Sequence, residues 1–342
     1  MKTRLPAEWE EQDGVLLSWP HAESDWRIHL EVVEPVFIEI VRQVSRFEKV
    51  LITAPDPETV RKSLAGAGIF MERVRLFRID SNDTWARDFG PITVQENGQP
   101  LLLDFAFNGW GLKFAADLDN LITRRLAEEG AFRVPLRTID LVLEGGSVES
   151  DGTGTILTTS ACLLSPNRNP HLSRRDIEVK LAEVLGADRF LWLENGHLAG
   201  DDTDSHVDTL ARLCPDDTIL HVSCTDRADE HYPAIKAMIA ELQSFRSKND
   251  RPYRLIPLPW PQARHDEEGQ RLPATYANFL VINGAVLVPT HGEINDEAAL
   301  RAIGDAFPDR EVIGIDCRPL IMQHGSLHCV TMQLPKGTID PK

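Results

Sequence analysis

An α/β fold of about five strand-strand-helix-strand units, closed by the chain's own C-terminus, is the architecture the sequence predicts. Three observations carry that expectation. Short apolar runs alternate with helical stripes along the whole chain. From residue 91 onward the order of two strands, one helix and one strand recurs. The chain also ends on a strand with no helix of its own and begins on a strand that needs a partner. A radial arrangement of small sheets limits exposed edges, which gives that pairing a physical motive.

The first unit opens on Gly14-Val15-Leu16-Leu17-Ser18-Trp19, an apolar run between Trp9 and Trp26. Val33, Phe37, Ile40, Val41 and Val44 follow at helical spacing, with Pro35 placed in the first turns or kinking the helix. Val50-Leu51-Ile52-Thr53 and residues 74–79 read as buried strands. The second unit places strands at 91–95 and 100–105, a helix burying Leu118, Leu121 and Ile122, and a strand at 132–138. The third places strands at 146–150 and 154–159, a helix burying Ile177, Leu181, Val184 and Leu185, and Phe190-Leu191-Trp192-Leu193. Ser173 followed by Asp176 gives that helix a capping-box start. In the fourth, strands at 206–213 and 218–223 precede a helix burying Ile235, Met238, Ile239 and Leu242, then a strand at 253–258. The fifth has strands at 276–282 and 285–288, a helix capped near Asn295 that buries Leu300, Ile303 and Phe307, and a strand at 312–315. Residues 325–333 supply the closing strand, with Leu327 and Cys329 on one face and His328 and Val330 on the other. The one polar, loop-like insertion is 261–272. No break reads as a domain boundary, so one domain is expected over 1–342.

Composition narrows the function. Hydrophobic content of 42% and charged content of 26% belong to a soluble globular chain. A net charge of −17 argues against nucleic acid and anionic membranes and suits a cationic partner. No run is long enough to span a bilayer, and the N-terminus lacks the apolar core of a signal peptide. Five cysteines without a CxxC pair fit a reducing cytoplasm and not a disulfide framework.

Polar clusters fall near the start of successive units: residues 82–91 (NDTWARDFGP), Glu144-Gly145-Gly146-Ser147, residues 201–208 (DDTDSHVD) and the strand carrying Cys329. Their spacings are near-multiples of one repeat, so equivalent positions would bring Asp88, Glu144, His206, Asp208 and Cys329 to one site. Each residue has a plainer reading alone. Cys329 is of a type commonly buried in cores, Asp88 could pair with Arg87, Glu144-Gly-Gly could be a turn, and Trp85 and Trp110 could be packing. A zinc site built from His197, His206 and Asp208, with Cys329 and His328 nearby, is the sharpest competing chemistry. It lacks an HxH or HExxH pattern, and carboxylates outnumber well-placed imidazoles. The favoured reading needs no metal and no cofactor.

Together, residues 82–91, Glu144-Gly-Gly-Ser, His206-Val207-Asp208 and residues 325–331 (GSLHCVT) resemble the agmatine deiminase and bacterial-type peptidylarginine deiminase family. The resemblance begins at Leu5-Pro6-Ala7-Glu8-Trp9 and takes in residues 167–173 (NRNPHLS). It implies the five-bladed α/β propeller, or pentein, of guanidine-modifying enzymes. It also implies a nucleophilic Cys329, His206 as general acid/base, Asp88 and Asp208 gripping a guanidinium, Glu144 supporting substrate and His206, and Trp85 packing on the substrate. The implied substrate is a small cationic guanidine, agmatine first and peptidyl or free arginine second. A homodimer is compatible with the resemblance. Amidinotransfer to an amine and non-enzymatic binding on the same fold are the other open readings. Agmatine deiminases tend to read GHVDN and GGGNIHC where this chain has Ser205-His206-Val207-Asp208-Thr209 and His324-Gly325-Ser326-Leu327-His328-Cys329.

Overall fold

The computed structural model describes residues 3–341; Met1, Lys2 and Lys342 of the expected domain lie outside the described residues. It is a mixed α/β fold whose described residues form five sheets of three or four strands and one two-stranded sheet. In the second, Ile92–Glu96 runs antiparallel to Gln99–Ala106, which is parallel to Leu136–Val142 across the helix Ile122–Glu128. The third repeats this with Val148–Ser150, Thr155–Thr159, the helix Arg174–Leu185 and Arg189–Leu193. The fourth uses Ala211–Cys214, Thr218–Val222, Tyr232–Ser244 and Arg254–Leu258. The fifth uses Leu280–Ile282, Ala285–Thr290, Asp296–Gly304 and Glu311–Asp316.

The first sheet differs in connectivity and matches in form. Gln12–Ser18 is parallel to Lys49–Ala54 across the helix Leu30–Val44, and Lys49–Ala54 is parallel to Val74–Arg78. Its antiparallel strand is Met332–Pro335, from the other end of the chain. The expected pairing of the two chain ends therefore holds, and Thr3–Arg4 adds a further tie by pairing with Ile92–Glu96.

Strands flanked by two layers must be apolar on both faces, and Val15, Leu16, Leu17, Val50, Leu51 and Ile52 are all fully buried. The expected stripe Val33, Phe37, Ile40, Val41 and Val44 is likewise buried. Pro35 sits inside that helix, in its second turn. The capping box at Ser173 forms as read, its hydroxyl accepting from Asp176 N–H and Asp176 accepting from Ser173 N–H.

Several expected strands are shorter or absent. Residues 325–331 form turns, and the closing strand starts only at Met332. Here Asn278 Oδ1 accepts the His328 and Cys329 N–H groups at 2.9 and 3.2 Å, and Thr331 N–H bonds back to the His328 carbonyl. Those amides are unavailable to a sheet ladder. His206 precedes a 3-10 turn, Val207–Thr209, so the strand expected at 206–213 begins at Ala211. The strand expected at 132–138 lies at Leu136–Val142, and that at 276–282 only at Leu280–Ile282. Asn295 flanks its helix without a capping bond and donates instead to the Trp260 carbonyl. The 261–272 insertion carries a small hairpin, Arg264–His265 with Arg271–Leu272. Among the described residues no helix is long and apolar enough to cross a membrane.

Candidate active site

One feature of the repeat builds the site. A short turn precedes the first strand of each unit, and each turn carries a polar side chain to the same place. Asp88 lies in the turn Ala86–Phe89 ahead of Ile92–Glu96. Glu144 and Gly146 lie ahead of Val148–Ser150, and His206 and Asp208 ahead of Ala211–Cys214. Cys329 lies ahead of Met332–Pro335. The fifth unit contributes Asn278, ahead of Leu280–Ile282. Sequence reading missed Asn278, although its place just before the fifth unit's strand was the available signal.

The geometry is close. Asp88 Oδ2 accepts from Trp110 Nε1 at 2.9 Å, and Asp88 Oδ1 accepts from Gly146 N–H at 3.1 Å. His206 Nδ1 lies 3.5 Å from Asp88 Oδ1 without the alignment of a hydrogen bond. Asp208 Oδ2 is 2.6 Å from His328 Nδ1, while its Oδ1 and both His206 ring nitrogens have no protein partner. Cys329 Sγ donates to Asn278 Oδ1 at 3.3 Å. Arg87 does not pair with Asp88: its side chain turns to the His328 carbonyl, Gln333 and Glu8.

Glu144 is buried against Arg168, whose Nε donates to both carboxylate oxygens at 2.8 and 3.0 Å. Arg168 also bonds Asp204 at 2.6 Å and the Thr203 carbonyl at 2.8 Å, which fixes the loop leading to His206. Arg168 is a second residue the chain order hid. Only its place in the NRNP segment pointed to it.

Backbone strain gathers here. Trp110, Asp204, Ser205 and His324 all have φ between 54° and 65°, a region costing roughly 1 kcal/mol or more for residues other than glycine. Gly325 has a steric reason: a Cβ there would lie 2.0 Å from the Trp85 ring. Trp85 is buried and packs at 5.8 Å on Trp26.

Asp88 and Cys329 reach a cavity of about 370 Å³ whose lining also includes Trp85, Trp110 and Phe114; His206 and Asp208 lie behind it, against Asp88. Asp25, Asp83, Asp201 and Asp202 line it further out. Burial pushes Asp88 well above the usual carboxylate range, and the Asp208 and Glu144 charges push it further. Burial also lowers His206 to about 3, against the opposing pull of Asp208. Burial would raise Asp208, but the bond and charge of His328 hold it below its ordinary value. The Cys329 thiol is raised by burial and by the Asp208 and Asp88 charges. The site is thus a desolvated pocket with carboxylates in excess, a thiol and a neutral imidazole. It will gain from any cation that enters.

Among the described residues two groups have metal-like proximity: Glu144 with Cys162 and His206, and Glu8 with Glu149 and His328. In each, a guanidinium already occupies the carboxylate oxygens. Arg168 occupies the Glu144 oxygens, and Arg212 bonds both Glu8 and Glu149. Those donor sets do not fit a metal. His197 instead packs on His231 at 5.6 Å.

The relatives of this chain can now be stated. A family model described as Porphyromonas-type peptidyl-arginine deiminase matches residues 4–335. A solved Porphyromonas gingivalis chain, assigned provisionally as an arginine deiminase, is 51% identical with a TM-score of 0.94, covering 99% of this chain and 100% of that one. A C. jejuni agmatine deiminase, solved as a cysteine-to-serine variant with substrate bound, is 42% identical with a TM-score of 0.92, covering 98% and 97%. Agmatine deiminase of Enterococcus faecalis is 30% identical with a TM-score of 0.89, covering 98% and 96%. At 12% identity and a TM-score of 0.51, a dimethylarginine dimethylaminohydrolase shares the fold. The chain belongs to the Porphyromonas-type peptidyl-arginine deiminase family, and it is a hydrolase acting on guanidino groups.

Proposed function

We propose that this enzyme hydrolyses agmatine to N-carbamoylputrescine and ammonia through a covalent intermediate on Cys329, on a closed five-bladed α/β propeller acting as one catalytic domain in the cytoplasm. One observation carries the reading: Cys329 and Asp88 line one cavity, and His206 and Asp208 converge on Asp88, all three within 3.0 Å of where a Cβ on Gly146 would stand, with no cationic side chain between the two carboxylates. A planar guanidinium offers paired N–H donors that match carboxylates bidentately, and such charge-assisted bonds are the strong ones. Asp88 and Asp208 grip it. Trp85 stacks on it, and Glu144 steadies His206, one of whose ring nitrogens lies within 4.8 Å of a Glu144 oxygen.

The steps follow from the charges. The entering cation lowers the cost of a thiolate, and the Cys329 proton passes to His206. Sulfur attacks the guanidinium carbon, forming C–S while the C=N electrons move to nitrogen. His206 gives its proton to the departing nitrogen, the C–N bond breaks, and ammonia leaves a thiouronium. His206 then takes a proton from water, whose oxygen attacks the same carbon. The C–S bond breaks as the added hydroxyl becomes the ureido C=O and gives up its proton to ammonia or solvent, and His206 returns its proton to the Cys329 sulfur, which releases the ureido product and restores the thiol and neutral imidazole.

This order has a measurable consequence. With Cys329 raised and His206 near 3, the free enzyme holds a protonated thiol and a neutral imidazole at neutral pH. Iodoacetamide modification of Cys329, mapped by peptide mass, should be slow at about pH 7 and climb through the alkaline range. A rate already at its plateau below neutral pH would contradict substrate-assisted thiolate formation.

Agmatine is favoured over arginine by the outer cavity. Asp25, Asp83, Asp201 and Asp202 line it, and among the described residues no Lys or Arg does. Burial raises Asp83 to about 7, and burial with the neighbouring Asp201 charge raises Asp202 to about 6. A terminal ammonium would be welcome there, and an α-carboxylate would meet like charge. The test is release of ammonia and ureido product from agmatine, free arginine and an arginyl peptide in parallel, with and without an acceptor amine. Turnover of agmatine alone is expected. Faster turnover of the peptide would move the substrate to peptidylarginine, and an amidinated acceptor would replace hydrolysis by transfer.

A further inference from the structure

His328 is next in sequence to Cys329 yet faces away from the thiol, into a buried layer of charge behind the site. Its Nδ1 lies 2.6 Å from Asp208 Oδ2 and its Nε2 lies 2.6 Å from Glu8 Oε2. Nitrogen and oxygen at that separation hold a proton between them. Asp208 is held ionised, as described above. Burial would raise Glu8, but His328, Arg212 and Arg87 outweigh it and leave Glu8 below the carboxylate range. Each ring nitrogen faces its own carboxylate oxygen, the arrangement that the two N–H donors of an imidazolium fit. Arg212 Nη2 lies 3.0 Å from Glu8 Oε2 and 3.1 Å from His328 Nε2, as two donors sharing one oxygen must.

The pairing in the layer agrees. Arg212 is taken up by Glu149 and Glu8. Among the described residues Asp208 has no guanidinium in ion-pair contact, and His328 is the basic group placed against it. Glu8 Oε1 is fixed in turn by the Val281 N–H at 2.7 Å, and Arg212 by the Ala277 carbonyl at 3.1 Å. The layer ties the N-terminal segment, the fourth unit and the fifth to the back of one site carboxylate.

We propose that His328 is a positioning residue, an imidazolium held between Asp208 and Glu8 that locks the Asp208 carboxylate so that Oδ1 is left for the substrate's guanidinium. It rests on the guanidine reading above. Asp208 Oδ1 is buried and without a protein partner, and a carboxylate latched through one oxygen cannot rotate the other away. Removing the latch loosens the grip on the cation and leaves the thiol and His206 in place. Outer-layer partners of this kind are worth about 10–100-fold in binding where they orient an inner ligand.

Two measurements test this. In the ¹⁵N-labelled enzyme, the His328 ring, identified by its loss in His328→Asn, should show both nitrogens protonated at about pH 7.5. A neutral-tautomer pattern would overturn the latch without reference to any activity. In a Cys329→Ser background, calorimetric titration with agmatine should give a Kd raised about 10–100-fold by His328→Asn. Glu8→Gln should act in the same direction. The double variant should lose less affinity than the product of the two single effects predicts, since both remove one latch. Unchanged Kd in folded variants, or strictly multiplicative effects, would overturn the proposal. Should His328→Asn fail to fold, the isosteric Glu8→Gln carries the same test. A parent that has the imidazolium but binds no guanidine would overturn the assigned function, and with it the claim that the latch serves a guanidinium.

Discussion

Replacement of Cys329 by serine is expected to lower kcat for agmatine by at least about 10⁴-fold, a loss of the size seen when a nucleophile is removed from an acting unit. Substrate binding should survive within a few-fold. In the proposed reading the cation is held by carboxylates, and Cys329 is 5% exposed with its Sγ bonded to Asn278. A serine hydroxyl has a far higher pKa than even a raised thiol, so the shift that a bound cation can produce no longer yields a useful nucleophile. The C. jejuni enzyme was solved with substrate bound as a cysteine-to-serine variant, which shows that such a change permits binding in that relative. Coupled ammonia release and calorimetry on the same sample check both halves. Residual kcat within about tenfold of the parent would rule out the covalent route.

Gly146→Ala is expected to cost about 10²–10³-fold in kcat/KM, on the scale of a roughly 1 Å misplacement of reacting groups. A Cβ on Gly146 would stand 2.6 Å from His206 Nδ1, 2.9 Å from Asp88 Oδ1 and 3.0 Å from Asp208 Oδ2. One methyl group thus meets His206 and Asp88 at separations real Cβ atoms do not tolerate, and crowds Asp208 as well. Gly146 also donates its N–H to Asp88 Oδ1, and moving the backbone to relieve the clash would break that bond. The distortion lies at the site and not in the sheets, so the thermal midpoint should fall by only a few degrees. A variant with full activity would mean that the three side chains do not need these positions.

Much of this was written in the chain. Helical stripes and apolar runs determined the strand-strand-helix-strand order, because burial against two layers demands apolar residues at those periods. The repeat length also determined that Asp88, Glu144, His206, Asp208 and Cys329 fall at equivalent places. Local chemistry was less legible. Residues 325–331 and 206–209 have the alternation of strands, yet both are turns. Asn278 takes two amides of the first, and a 3-10 bond closes the second.

What only the tertiary structure decided is which carboxylates are answered by a cation and which are not. Asp88, Glu144, Asp208 and Glu8 are alike in sequence. Arg168 reaches Glu144 from 24 residues away, and Arg212 reaches Glu8 from 204. Asp88 is met only by the neutral donors of Trp110 and Gly146, and one oxygen of Asp208 has no protein partner. No local pattern encodes such pairings. Charges desolvated together are sorted by contact in space, and the excess of carboxylate that selects a cation exists only once the units have met.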